Sequence, residues 1–312
     1  MVPLKVLLTG ATGVVGRRLL PILLADGHGV VAIARDPEQR RALQRLGATA
    51  VEADLFSPDS LRRAAAGCDV VVNLATHMPA SGTQVFRRSA WKENDRVRRL
   101  GSSNLVDAAL AAGVRRYVQE SFAPVYPDCG DRWIDEDVPL QPVRYNRSVT
   151  DAESSAARFT KAGGAGIVLR FASFYGSDSR FLAEGIRQVK KGREFLPGSP
   201  GAFVSSVSHD DAATAAAAAL KAPAGVYNVV DDEPLTRRDY FDSLARALGV
   251  PPPTPLPWWV KWLLGPVGEL LSRSQRISNL RLRSVTDWTP KCPSVREGWP
   301  SAVGNQAVGL RA

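Results

Sequence analysis

The chain has 312 residues, 45% of them hydrophobic and 23% charged, values that fit an ordinary globular protein with length to spare for a buried core. The formal net charge of +9 is expected to draw in an anionic cofactor or substrate. Nucleic acid is not an expected partner, because the basic residues are spread along the chain and no binding motif gathers them.

In chain order, MVPLKVLLTG opens with a short apolar run that flows into a glycine motif, so it reads as a first strand and not a leader. GVVAIAR, ATAVEAD, DVVVNLA and RRYVQES follow as short β-rich runs. Between them lie helix-period stretches such as RRLLPILLADG and LVDAALAAG. GIVLRF at 166–171 and GVYNVV at 225–230 read as two further strands. This alternation predicts an α/β fold with a doubly wound parallel sheet. After residue 232 the texture changes to TRRDYFDSLARALG, PPPTPLP, WWVKWLLGPVGELL and a basic stretch holding RISNLRLRSVTDW. No strand pattern stands out there, and a smaller, mostly helical lobe at one edge of the sheet is expected. The heavy apolar face of Trp258, Trp259 and Trp262 suggests packing of that lobe or a dimer contact, then a wall over a bulky substrate, then attachment to a membrane surface. No apolar run approaches the ~18 residues of a membrane span. Cys68, Cys129 and Cys292, like His28, His77 and His209, lack metal-ligand spacing, so no metal site and a reducing, cytoplasmic compartment are expected.

TGATGVVG places Gly10, Gly13 and Gly16 between a strand and a helix with the spacing G-x-x-G-x-x-G. Glycines are needed where backbone turns sharply and must approach a pyrophosphate, and the following helix offers free N–H groups and the positive end of its dipole. A dinucleotide is the expected ligand. At the end of the second strand Arg35 stands first with Asp36 behind it. Arginine there favours the 2′-phosphate of NADP, where an acid would favour NAD.

TGATGVVG, the Asp54-Leu55 pair, Asn73-Leu74-Ala75 and Tyr145 together resemble the short-chain dehydrogenase/reductase superfamily. LRFASFYG, SVSHDDAA, YNVVDDEPLT and DWTPKCPSVREGW, in that order, are similar to the signposts of its extended and atypical groups, of the NAD-dependent epimerase/dehydratase type. The resemblance implies a Rossmann domain of residues 1–174 plus 202–232 and a discontinuous substrate lobe of 175–201 plus 233–312. It implies that Gly10, Thr12, Gly13, Val14, Val15 and Gly16 hold the pyrophosphate. Asp54 and Leu55 would lie along the adenine, Ala75 and Thr76 with Leu74 on the nicotinamide ribose side, and Phe171 to Ser173 near the nicotinamide. Homodimerisation through helices flanking the sheet is a habit of that group.

The family's proton device is Tyr-x-x-x-Lys with a nearby Ser or Thr. Here YNRSV keeps Tyr145 and carries Val149 at the lysine position. Ser121 stands one residue off the expected serine, matching a neighbour that usually serves the cofactor, and Phe122 occupies the expected place. Glu120, at the end of the fifth strand, is a further acid–base candidate, or else a solvated glutamate or a partner for an arginine. A free tyrosine has a pKa of about 10, so roughly one in a thousand is ionised at neutral pH, a penalty of about 4 kcal/mol for alcohol oxidation. Carbonyl reduction needs the phenol, so losing lysine hurts oxidation more. These features lead to an NADP(H)-dependent oxidoreductase reducing a carbonyl or enone of a small metabolite. A non-redox epimerase, dehydratase or cyclase and a non-catalytic NADP sensor are the alternatives. Arg35→Ala is expected to weaken NADPH binding far more than NADH binding in parallel fluorescence titrations; equal losses would remove the assignment of Arg35.

Overall fold

The computed structural model describes residues 2–79, 84, 85 and 87–304. Seven strands form one sheet: β1 (Lys5–Thr9), β2 (Gly29–Ala34), β3 (Thr49–Glu52), β4 (Val70–Asn73), β5 (Arg116–Phe122), β6 (Ala165–Phe171) and β7 (Gly225–Val229). Their spatial order is 3-2-1-4-5-6-7, and every pairing is parallel. This is the doubly wound Rossmann sheet the alternation predicts, with the strand order reversing between β1 and β4.

Period-two alternation decides which helices cover which face. Val6 and Leu8 of β1, with Val70 and Val72 of β4, enter one apolar core together with Leu19, Leu20 and Leu23 of α1 (Gly16–Ala25) and the alanines of a helix at His209–Ala218. Leu7 and Val71 point the other way. They join Leu61, Leu105 and Phe159, which come from helices at Pro58–Ala65, Ser102–Ala111 and Ser148–Lys161. Alanine is the residue that lets the 209–218 helix approach α1 closely, and the alanine tract reads as such a helix in the sequence.

A third core gathers Tyr175, Leu182, Ile186 and Leu196 with Leu235, Phe241, Leu244, Val295 and Trp299, residues distant in sequence. The helix Arg237–Leu248 at its centre starts under Thr236, whose hydroxyl accepts from Asp239 N, and ends at Gly249 in the left-handed region. Asp211 ties the C-terminal segment to the sheet: its carboxylate accepts from Lys291 N at 2.7 Å, Cys292 N at 3.1 Å and the Ser208 hydroxyl at 2.7 Å.

Two expectations need correction. The region after residue 232 does contain strand: Leu235–Thr236 pairs antiparallel with Phe203–Val204, and Arg276–Ile277 pairs parallel with Trp133–Ile134. Two-residue strands are too short to leave an alternation. The tryptophan stretch does not pack the interior of a lobe either. Trp258, Trp262 and Leu263 are 76%, 70% and 76% exposed. The helix there is only Val260–Leu263, and it packs on the helix Gly265–Ser272 that restarts behind it, where a Cβ on Gly268 would lie 2.2 Å from Lys261 O.

Glu194 lies buried in the third core region with one carboxylate oxygen unpartnered among the described residues. Burial pushes its carboxyl up to about 7, against the pull of Arg237 and Arg238. A folded pKa above the unfolded one means stability present at acid pH and lost as pH rises from about 4.5 through 7. Glu194→Gln is therefore expected to stabilise the protein by roughly 2–3 kcal/mol at pH 8 and to leave it unchanged near pH 4.5, read by denaturant melts at both values.

Candidate functional site

The loop after β1 closes on the end of β4. Thr9 sits opposite Asn73 in the parallel register, and the Thr9 hydroxyl donates to Asn73 Oδ1 at 2.6 Å. The Asn73 amide in turn donates to Gln119 Oε1 at 3.0 Å. Gly10 has φ +67°, and a Cβ there would lie 2.5 Å from the Leu74 carbonyl oxygen. A Cβ on Gly16 would lie 2.1 Å from Gly10 O, and one on Gly13 3.1 Å from the same atom. Three glycines are thus what allow the chain to fold over itself at the topological switch point. No side chain caps α1 behind Val15, and in its first turn Arg17 N bonds Gly13 O and Arg18 N bonds Val15 O, each at 3.0 Å, so a ligand would meet the positive end of the helix dipole and the N–H groups ahead of Arg17. The residues fit the pyrophosphate of a dinucleotide.

The other expected cofactor residues fall around this loop. Arg35 is exposed at the end of β2. Asp36 behind it is committed to capping the helix Pro37–Arg45, accepting from Gln39 N at 2.8 Å. Asp54 is exposed and accepts from Phe56 N at 3.0 Å, the turn-capping role that its type permits, while Leu55 packs against the second core. Leu74 is buried at the end of β4, Ala75 half-buried and Thr76 exposed. Phe171 is buried with its ring 5.4 Å from Phe174, and Ser173 N bonds Ser205 O. Thr12 is exposed, Val14 half-buried and Val15 buried.

The catalytic candidates do not come together as the spacing suggests. The helix that follows Tyr145 begins only at Ser148. Asn146 N, Val149 N and Thr150 N each bond the carbonyl three residues back, so the chain enters the helix through a tight turn and Tyr145 is not stacked a regular α-turn below Val149. Val149 is fully buried. Tyr145 is half-buried, its ring centroid 6.1 Å from that of Trp91.

Ser121 and Glu120 are corrected in turn. The Ser121 hydroxyl is buried and donates to Glu153 Oε1 at 2.5 Å. Glu153 also receives Arg170 Nε and Nη2, each at 2.8 Å. Arg170 Nη1 reaches the Tyr126 hydroxyl, which donates to Asn228 Oδ1 at 2.9 Å. Burial pushes Tyr126 up to about 12, which keeps that donor protonated. Ser121 is therefore committed to a buried network with Glu153 and Arg170. Glu120 is ion-paired: Arg98 Nη2 lies 2.7 Å from its Oε1. The alternative of an arginine partner is what the geometry gives, and a free acid or base is not.

Two groups of residues were missed. Asp178 gathers Arg17, Arg18 and His209 beside the start of α1, with His209 Nδ1 at 2.7 Å. Burial, then Arg18 and Arg17, push His209 down to about 4, so the neutral ring donates from Nδ1 to the carboxylate. No sequence signal joins residues 160 or more apart. Arg98 could have been noticed: it falls in phase with Ser102 and Leu105 on the buried side of one continuous helical stretch.

A parallel sheet of this order with a glycine-lined crevice at the switch point defines a dinucleotide-binding Rossmann protein. Residues 6–230 match the NAD dependent epimerase/dehydratase family, and the chain belongs to that family. It is 34% identical over 95% of its length, and 99% of the relative's, to a Streptomyces protein named 3-diazoavenalumate denitrifying reductase. It is 28% identical over 79% of its length, and 74% of the relative's, to a Stigmatella aurantiaca protein named 4-hydroxy-2-methyl-3-oxo-4-farnesyl-3,4-dihydroquinoline-1-oxide ketoreductase. Among solved structures, MoeE5 in complex with UDP-glucose and NAD superposes with TM-score 0.79 at 24% identity, covering 98% of this chain and 99% of that one. The human epimerase family protein SDR39U1 with NADPH superposes with TM-score 0.77 at 22% identity, covering 97% and 99%. These two show the shared fold. Among the described residues no helix is long and apolar enough to cross a membrane.

Gly10→Ala is expected to abolish measurable dinucleotide binding in a fluorescence titration, because the new methyl must displace the Leu74 carbonyl. It should also lower stability by roughly 1–3 kcal/mol from strain at positive φ.

Proposed function

We propose that the chain is an NADP(H)-dependent oxidoreductase that reduces a carbonyl or enone of a small organic metabolite. The family and the relatives named as reductases support the oxidoreductase class, among them a Shewanella oneidensis protein named 2-alkyl-3-oxoalkanoate reductase, 25% identical over 85% of this chain and 72% of its own. The observation that carries the choice of cofactor is the end of β2. There the Asp36 carboxylate is spent on a helix cap and the exposed Arg35 guanidinium is the group left to meet a 2′-phosphate. Residues Gly10 to Gly16 would hold the pyrophosphate, Asp54 and Leu55 the adenine side, Leu74 to Thr76 and Phe171 to Ser173 the nicotinamide side. Substrate would enter between the sheet and a lobe built from 175–201 and 233–304.

When bound, the dinucleotide supplies the hydride for the substrate carbon. Tyr145 holds the proton that the carbonyl oxygen takes up as it gains charge. Reduction uses the phenol, the form that needs no neighbouring cation, which reconciles Tyr145 with a valine at 149. Val149 itself is fully buried and offers no group to the proton transfer.

A second reading is favoured by Val149 together with the 34% identical relative, named for denitrifying a diazo compound. In reductive loss of a diazonium group, the incoming hydride pair forms the C–H bond. The C–N pair departs with dinitrogen. That step takes no proton from the protein, so a cleft without a tyrosine–lysine pair suffices.

The two readings part on one variant. With NADPH consumption followed by absorbance, Tyr145→Phe should slow reduction of a ketone panel by about 10²–10⁴-fold. It should leave turnover of an aryl diazonium probe within a few-fold. Failure of the parent to consume NADPH with either class would remove both readings and favour the sensor or a non-redox reaction.

A further inference from the structure

The exposed tryptophans stand on an excursion of the chain that is tied down at both ends. Where it leaves, Thr254 N donates to Gly192 O at 2.9 Å and Glu194 N donates to Thr254 O at 3.0 Å. Where it returns, Arg237 Nη2 donates to Leu271 O at 3.0 Å, Leu271 packs on the third core, and a Cβ on Gly198 would lie 3.0 Å from Ser272 O. Both ends therefore rest on one segment, Gly192 to Gly198, which follows the helix Arg180–Lys190. Within the excursion the helices Val260–Leu263 and Gly265–Ser272 pack on each other, and Gly268 is buried against Lys261. Trp258, Trp259, Trp262 and Leu263 stay exposed beyond that contact. The result is a short prong with an apolar tip.

The charges around the prong have one sign. Between Gly249 and Glu269 the sequence holds a single charged residue, Lys261, and no acid. Lys261 Nζ lies 5.1 Å from the centroid of the Trp262 ring, so the cation shares the exposed side with the indole. At the foot of the prong Lys190, Lys191 and Arg193 are all exposed, and none lies within ion-pair distance of an acid among the described residues. The acids nearby are spent: Glu184 pairs with Arg187, Glu269 pairs with Arg273, and Glu194 is buried. Trp258 stands four residues past Thr254, at most about 14 Å of extended chain away, so tip and foot can meet one surface.

A cluster of exposed indoles marks a surface that something else covers. Indole suits a boundary that is apolar on one side and wet on the other, and the cations call for an anionic partner. A two-fold contact between copies through this tip would bring the same cations together, which opposes it. A helix of four residues is too short to lay a continuous stripe into a protein groove. We propose that the prong is an anchor for the surface of an anionic lipid bilayer. Trp258, Trp262 and Leu263 enter the headgroup boundary, while Lys261 and the cations at the foot face the lipid phosphates. The longer helix of the prong has eight residues, far short of a span, so the seating is at the surface. This anchor depends neither on the cofactor nor on the reaction in the cleft.

The test is co-sedimentation of the full chain with two kinds of vesicle, phosphatidylcholine alone and phosphatidylcholine with phosphatidylglycerol in equal parts. The parent should sediment with the mixed vesicles, be released as salt is raised, and stay in the supernatant with the neutral ones. Trp258→Ser/Trp262→Ser/Leu263→Ser should abolish sedimentation and leave the thermal melt unchanged, because these side chains pack little of the interior. Lys190→Ser/Lys191→Ser/Arg193→Ser should weaken it roughly a hundredfold, near fivefold per cation, and keeps the test open if the first variant folds poorly. A parent that does not sediment, or sediments equally with both lipids, overturns the proposal, as does unchanged sedimentation of either variant. A dimer in analytical ultracentrifugation that the tryptophan variant loses, with no vesicle binding, assigns the tip to a second copy and overturns the anchor. A raised KM for bulky ketones in that variant, with vesicle binding unchanged, assigns the tip to the substrate and overturns it as well.

Discussion

The backbone at the end of β1 passes so close to the end of β4 that a single methyl on Gly10 would sit 2.5 Å from the Leu74 carbonyl. Everything about the site depends on that approach. It is held from inside the sheet by the Thr9–Asn73–Gln119 chain of hydrogen bonds, which crosses from β1 through β4 to β5. It opens the crevice because α1 and the helices after β4 leave on opposite faces of the sheet at this point. The start of α1, which no side chain caps, then brings the positive end of its dipole to the crevice that the glycines have cleared.

The polar groups at the carboxyl edge divide into two networks with different work. Ser121, Glu153, Arg170, Tyr126 and Asn228 form a closed chain linking β5, β6, β7 and the helix after Tyr145. Each member is bonded to the next, so the chain fixes register across these strands, and Asn228 Nδ2 is its one buried atom without a partner among the described residues. Arg98 and Glu120 form a second, separate buried pair between β5 and the helical stretch that precedes it in the chain.

The proposed reduction asks of YNRSV only a phenol, which Tyr145 would supply without a cation at Val149. The Tyr145 phenol and the buried Arg98 cation sit on different segments. The phenol lies in the turn ahead of its helix, and the cation comes from a different helix, anchored on β5. A reductive reaction tolerates this, because the proton is already on the oxygen that gives it away. An oxidative one would need the charge and the phenol in contact.

The seven sheet strands, their parallel order, the glycine loop and the helix opening behind it were legible in the sequence, because each is written in neighbouring residues: alternation with period two, periodicity near 3.6, and glycines where a turn allows no side chain. Arg35 as the cation at the end of β2 was legible for the same reason, whereas the capping role of Asp36 came from the structure. What only tertiary structure decided are the pairings across the fold. Glu120 finds Arg98 22 positions away, Glu153 finds Arg170 and Ser121, and Asp178 finds Arg17, Arg18 and His209. The sequence supplies each charge without its partner, and a charge becomes an acid, a strut or a binding group only when packing chooses which opposite charge lies within hydrogen-bond reach and how much water is left beside it.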